Sequence, residues 1–196
     1  MIIAKKQINQ ENLLEQGVRL LMLQGYHGTG LKEILDAVQI PKGSFYNYFS
    51  SKEYFAADVI QHYIQPFLDQ LQRHLDTPNT DALTALRNYF NELIQELESA
   101  QFTGGCLLGN LMGEIGDTSD VCQQSLRLAV QKYQNLLATA LKAAQSEGHI
   151  RTDKSADDMA NLLLNTWQGA LLRMKVEQSS EPLRQCCQDL LGDFFL

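Results

Sequence analysis

The chain has 196 residues, 44% of them hydrophobic, with 16 basic and 23 acidic side chains and a formal net charge of -7. With only 4 prolines and no repeated or low-complexity stretch, it is neither a disordered polymer nor a solenoid, and its length suits one or two compact units. The opening Met1-Ile2-Ile3-Ala4-Lys5-Lys6 turns polar before an apolar run could reach signal-peptide or membrane-span length, so a cytoplasmic protein with no membrane contact is expected.

From Glu11 to Gln24, residues Leu13, Leu14, Val18, Leu21 and Met22 recur at three- and four-residue intervals, as in a helix with one buried stripe, and Gly25 reads as its stop. Thr29 is a candidate N-cap for a short second helix marked by Leu31, Ile34, Leu35 and Val38, which Pro41 ends. Pro41 also suits the first turn of a third helix over 42–49, too rich in aromatics for a surface turn and too short to stand alone. A longer helix follows from Ser51, with Phe55, Val59, Ile60, Tyr63, Phe67 and Leu71 on one face and Pro66 as a candidate kink; the turn cluster Asp76-Thr77-Pro78-Asn79 closes it. Further helices are expected over 80–100, 105–115, 119–147, 155–177 and 180–195, with Ser119 and Ser155 as N-caps, Gly148 as a stop and Ser180-Glu181-Pro182 as a start. No strand pattern competes, so the expected fold class is all-α, with about nine helices.

An acidic protein repels phosphate at long range, but the charge is unevenly distributed. Residues 1–55 carry six basic and five acidic side chains, leaving ten basic and eighteen acidic to the remainder, so the acid lies where DNA need not be touched. Two short helices joined at Gln39-Ile40-Pro41 have the layout of a helix-turn-helix, whose second helix enters the major groove. Phe45 and Phe49, four apart, should face the core, while Lys42, Ser44, Asn47 and Tyr48 project elsewhere. Lys42 offers charge or guanine contacts, Asn47 can satisfy adenine bidentately, Ser44 can serve base or phosphate, and Gly43 permits close backbone approach. Phe45, Phe49 and Tyr54 are assigned to packing. Lys5 and Lys6 suit either a minor-groove arm or a frayed, solvated tail.

The stretch from Leu13 to Phe55 resembles the N-terminal domain of the TetR family, with IPKGSFYNYFSSKEYF as its signature segment. The resemblance implies a homodimeric transcriptional regulator, by family default a repressor on a palindromic operator. Residues 1–50 would form the helix-turn-helix domain and residues 51–196 a helical domain for effector sensing and dimerisation. It also implies that Tyr46 and Tyr48 touch the DNA backbone, that Lys52 contacts a phosphate and that Thr29 anchors the first one; the family often carries His where Tyr48 stands. The last two helices, with Leu162, Leu163, Trp167, Leu171, Leu183, Leu190 and Phe194, resemble the pair that builds the family's dimer bundle.

Residues 104–117, GGCLLGNLMGEIGD, place Cys106 at the glycine-rich start of an apolar helix and resemble the branch of the family that responds to reactive electrophiles or oxidants. In a first helical turn, backbone N–H groups and the helix dipole would stabilise a thiolate, making oxidation or alkylation the expected chemistry. Lys175 matches a lysine near the end of that branch's penultimate helix and is the candidate cationic partner. The competing reading has Cys106 as an inert hydrophobe among Leu107, Leu108 and Leu111. Cys122, Cys186 and Cys187 are assigned to packing as reduced thiols; without paired zinc spacing, neither a metal nor another cofactor is expected. An apolar small ligand is the other effector class, in a pocket lined by Phe90, Leu93, Leu97, Met112, Tyr133 and Trp167, although Trp167 equally suits the dimer interface.

Two other classes stand beside the regulator. A helical thiol-dependent enzyme would pair Cys106 with a histidine, but His27, His62, His74 and His149 are scattered and no GxSxG, HExxH, Walker or dinucleotide motif occurs, so no catalytic activity is expected. An interaction module that has lost DNA binding would not need Lys42, Tyr46 and Lys52. The expected partners are therefore double-stranded operator DNA, a second copy of the chain, and a small electrophile, oxidant or apolar ligand.

Overall fold

The apolar stripe of residues 13–22 becomes the buried face of helix α1 (Ile2–Gly28) in the computed structural model of the chain, which describes residues 2–196 apart from the side chains of residues 2–6 and Lys42. The helix begins well before Glu11, through a stretch where Gln7 and Ile8 are exposed. Extending an existing helix is far easier than nucleating one, so a polar stretch with no buried stripe can still be helical. Gly25, at φ 73° and ψ 178°, kinks this helix rather than ending it, and one further helical turn runs on through Gly28.

Gly30, not Thr29, stands at the N-cap of α2 (Leu31–Ala37), and Gln39 turns the chain with a left-handed φ of 55°. After Pro41 comes α3 (Lys42–Phe45), a single turn prolonged by bonds from Asn47 N to Ser44 O and from Tyr48 N to Phe45 O; the expected helix reached 49. Helix α4 (Lys52–Leu75) carries Pro66 in its interior. Then follow α5 (Ala82–Ser99), capped by Asp81, α6 (Leu107–Ile115), α7 (Asp120–Ser146), α8 (Ala156–Glu177), capped by Ser155, and α9 (Glu181–Cys187), which widens into a π-helical turn over Gln188–Phe194. No strand occurs among the described residues.

Two compact units result, divided differently from a boundary at residue 50. The first comprises residues up to Gln65 together with Cys106–Ala129; the second comprises Pro66–Gly105 and Val130–Leu196. Thus α4 and α7 each contribute to both units. In the first, Leu13, Leu20, Leu21, Ile34, Leu35 and Val59 surround three buried rings, with Phe55 centred 5.7 Å from Phe45 and 4.9 Å from Phe49. Gly17 permits that packing: a Cβ there would lie 2.6 Å from both Phe55 Cζ and Val59 Cγ2. In the second, Phe90 of α5 meets Trp167 of α8 at 4.8 Å between ring centres, and the hydroxyls of Tyr89 and Tyr133 bond at 2.8 Å. Leu86, Leu137, Leu163, Met174, Leu183 and Leu191 fill the space around them.

Candidate nucleic-acid interface and thiol site

Burial of Ile34, Leu35, Phe45 and Phe49 fixes which side of the helix-turn-helix faces outward. Gly43 and Asn47 are exposed, Tyr46 is 58% exposed, and Ser44 is half-buried. No atom lies within 4 Å of where a Gly43 Cβ would stand, so the backbone is open to approach there. The Lys42 side chain lies outside the described residues, as do those of Lys5 and Lys6. Tyr48 is half-buried, its hydroxyl accepting from Asn9 Nδ2 at 3.2 Å, which ties the turn after α3 back to α1. Tyr54, expected in the core, is 53% exposed, because the buried face of α4 runs through Phe55 and Val59 instead.

Two residues expected at phosphates are engaged with the kink in α1. Thr29 is fully buried and its hydroxyl donates to Gly25 O at 2.7 Å, so its side chain locks the kink rather than facing a phosphate. Lys52 Nζ donates to Tyr26 O at 2.5 Å and lies 4.2 Å from the centre of the Tyr26 ring. Burial pushes the Lys52 pKa down, with Glu114 acting in the opposite direction. An ammonium carries three N–H donors, so this one bond does not exhaust it. From α6, the Glu114 carboxylate accepts from Tyr26 N at 2.7 Å and from His27 N at 2.6 Å.

Cys106 is the N-cap residue of α6, with φ -112° and ψ 120°, half-buried and outside any disulfide. Gly104 and Gly105, at φ 83° and 81°, bring the chain to it in a conformation that other residues rarely adopt. Lys175 lies in the last turn of α8, in the second unit, its stem packed so closely on Gly105 that a Cβ there would sit 2.9 Å from Lys175 Cδ. Burial raises the pKa of the Cys122 thiol, and it pushes Cys186 up to about 11 and Cys187 up to about 12.

Of the expected pocket residues, Phe90, Leu93, Tyr133 and Trp167 are buried in the second unit and Leu97 is half-buried, whereas Met112 is 41% exposed on α6. Met112 therefore does not share their burial, because the inward face of α6 is occupied by Leu107, Leu108, Leu111 and Ile115. Among the expected dimer residues, Leu163, Trp167, Leu171, Leu183 and Leu190 are buried within this chain, leaving Leu162 and Phe194 exposed. The ligand atoms of Asp81, Glu147 and His149 lie within 4.8 Å of one another, as a metal would need. The carboxylates, however, serve the start of α5: Asp81 accepts from Thr84 N at 2.8 Å and Glu147 from Ala82 N at 2.9 Å, where the helix dipole disfavours a cation. No helix among the described residues is long and apolar enough to cross a membrane.

Residues 13–59 match the family pattern described as bacterial regulatory proteins, tetR family, and residues 82–190 match the tetracyclin repressor-like C-terminal domain. The chain belongs to the TetR family. It is 34% identical over 176 residues to the HTH-type transcriptional repressor DhaR of a Mycobacterium species, covering 90% of this chain and 87% of DhaR. The repressor NemR of Escherichia coli is 28% identical over 174 residues, covering 89% and 87% of the two chains. A solved structure of NemR in its reduced form matches with a TM-score of 0.88 at 26% identity, covering 96% of this chain and 97% of that one. The regulatory protein TetR from Rhodobacter sphaeroides gives a TM-score of 0.86 at 31% identity, covering 94% and 97%. This TetR-family protein is accordingly a DNA-binding transcriptional regulator, from a family whose members regulate as dimers rather than catalyse.

Its sequence gives little sign of three groups that hold the reading head together. Asn9 lies outside the apolar stripe, and Glu114 is one acid in a glycine-rich run. Gln61 donates to Ser125 O at 2.8 Å while Ser125 Oγ donates to Ala57 O at 2.7 Å, joining α4 to α7 across a long stretch of chain. Each bond depends on tertiary placement, which no local spacing encodes.

Proposed function

We propose that this regulator is a cytoplasmic repressor that holds a two-fold symmetric operator as a homodimer and releases it when Cys106 is alkylated or oxidised. The observation that carries the reading is the place of Cys106: it is half-buried and outside any disulfide, at the N-cap of α6 after two glycines of positive φ, whereas Cys122 and Cys186 are buried. The first N–H groups of a helix lack intrahelical partners, and together with the dipole they favour a thiolate beside them. Lys175, from its place in the last turn of α8, is the candidate cationic partner that the family resemblance implies. Similarity to two repressors, DhaR and NemR, supports repression, and a NemR structure described as its reduced form supports thiol chemistry.

In alkylation, Cys106 Sγ attacks the electron-poor carbon of an activated double bond. A C–S bond forms, the C=C becomes a single bond, and the thiol proton passes to the adjacent carbon. Gly43, Ser44, Tyr46 and Asn47 form the groove-facing group, with Tyr48, Lys52 and, from its sequence position, Lys42 at the phosphates. Two such heads fit one face of B-DNA when about 34–36 Å apart, so a modest change in the head breaks the match. Exposed Leu162, Leu172 and Val176 recur along one side of α8 and, with Phe194, supply an apolar face for the second copy.

The test is a gel shift with a palindromic duplex selected from random DNA, before and after N-ethylmaleimide. Wild type is expected to release the duplex and Cys106→Ser to retain it. Release that persists in Cys106→Ser would remove the Cys106 reading and assign the response to another of the four free thiols. Replacing Asn47 by Ala should weaken binding by about 1–3 kcal/mol if it reads a base.

A further inference from the structure

The turn after the kink in α1 is held from two other helices at once. Gly25 breaks the helix, so Tyr26 and His27 begin a new helical turn with N–H groups lacking partners in α1. Both N–H groups donate to the one carboxylate of Glu114, at 2.7 and 2.6 Å, so α6 supplies from a distant part of the chain the cap that a side chain at an N-cap normally provides. Lys52, in the first turn of α4, takes the Tyr26 carbonyl, and Thr29 closes the turn onto Gly25 O. Its φ of 73° requires the glycine, and a Cβ there, 2.5 Å from Glu114 Oε2, would displace the carboxylate. Directly after this joint the chain enters α2 and then α3, the elements carrying the groove-facing residues.

We propose that Glu114 is a positioning residue for operator recognition: its carboxylate, by capping the Tyr26–Gly28 turn, lets α6 set the direction in which the helix-turn-helix leaves α1. The proposal rests on the DNA-binding reading and not on the chemistry at Cys106. Glu114→Gln keeps the shape but offers one acceptor oxygen in place of two, so one of the two N–H groups loses its partner. Operator affinity should fall about tenfold, within the range that couplings between sites reach. Amide hydrogen exchange at Tyr26 and His27 should speed up while amides of α5 and α8 stay protected.

The experiment measures the Kd of the selected duplex for wild type, Glu114→Gln, Gly25→Ala and the double variant, at a temperature where circular dichroism shows each to be folded. Because Gly25→Ala pushes the carboxylate away from the other side, the two losses should overlap, and the double variant should bind no worse than the weaker single one. A Kd for Glu114→Gln within twofold of wild type overturns the proposal, whether or not the melting temperature or the two amides respond. If Gly25→Ala does not fold, the Glu114→Gln affinity and exchange still decide the matter. A wild-type chain that selects no duplex would instead count against DNA binding itself, which keeps the two failures distinct.

Discussion

The two compact units each have an aromatic core, but they differ in what is built around it. In the first, the ring cluster of Phe45, Phe49 and Phe55 is supplemented by directed bonds between side chains and backbone of different helices: Glu114 with Tyr26 and His27, Lys52 with Tyr26, Gln61 with Ser125, and Ser125 with Ala57. In the second, α5, α7 and α8 interlock through Tyr89, Phe90, Tyr133 and Trp167, and polar bonds such as Arg87 to Leu191 O and Tyr89 to Tyr133 add to that larger aromatic core. Directed bonds contribute only about 0.5–1.5 kcal/mol each, whereas truncating a buried aromatic costs several times as much. The bonds that fix the kink beside the DNA-reading helices are individually weak and geometry-sensitive, so they can be rearranged one at a time around a core of Phe45, Phe49 and Phe55 that stays packed.

The sharpest break in this contrast would come from Trp167→Ala, which should cost about 3–5 kcal/mol in urea denaturation through the cavity left against Phe90. A loss no larger than that of a single hydrogen bond would mean that the second unit is not held by its aromatic core. Next in size is Gly17→Ala, where the added methyl meets Phe55 and Val59 at 2.6 Å; about 1–3 kcal/mol of overpacking is expected, read as a drop in Tm. Gln61→Ala should cost only about 1 kcal/mol, with faster exchange confined to the α4–α7 contact, and global loosening would show that the directed bonds act as one block.

The smallest effect concerns acid. Bonds from Thr84 hold the Asp81 carboxyl below its usual 3.8, and bonds from His74 and then Gln70 hold Glu92 below its usual 4.5. A carboxylate depressed by folding adds stability above its unfolded pKa and loses it as pH falls through the folded value. Stability should therefore begin to decline as pH drops below about 4.5, with a shallower slope in Asp81→Asn and Glu92→Gln, and equal slopes in all three proteins would refute it.

Much of the helical order was legible because amphipathic stripes and caps are local signals: Ser155 caps its helix and Ser119 accepts from Cys122 N at the start of α7, as their positions imply, and Phe45 with Phe49 defines the buried side of the reading turn. The signature around residues 40–55 exposed the DNA-binding role for the same reason. What escaped notice was encoded at long range. Thr29 looked like a cap and a phosphate anchor, yet it locks a kink whose purpose emerges only once Glu114 arrives from α6. Met112 is exposed and Leu163 buried within the chain, because one apolar residue on a helix resembles another until its neighbours are known.

Because α6 and the first part of α7 complete the first unit, the reading head is not a string of residues that can be cut off at the end of its signature. A hybrid regulator made by joining the first 50 or 65 residues to a foreign sensor would leave Tyr26, His27 and the flank of α4 without their covers. A workable graft would have to transplant Cys106–Ala129 as well, carrying a piece of the donor's own sensor into the hybrid.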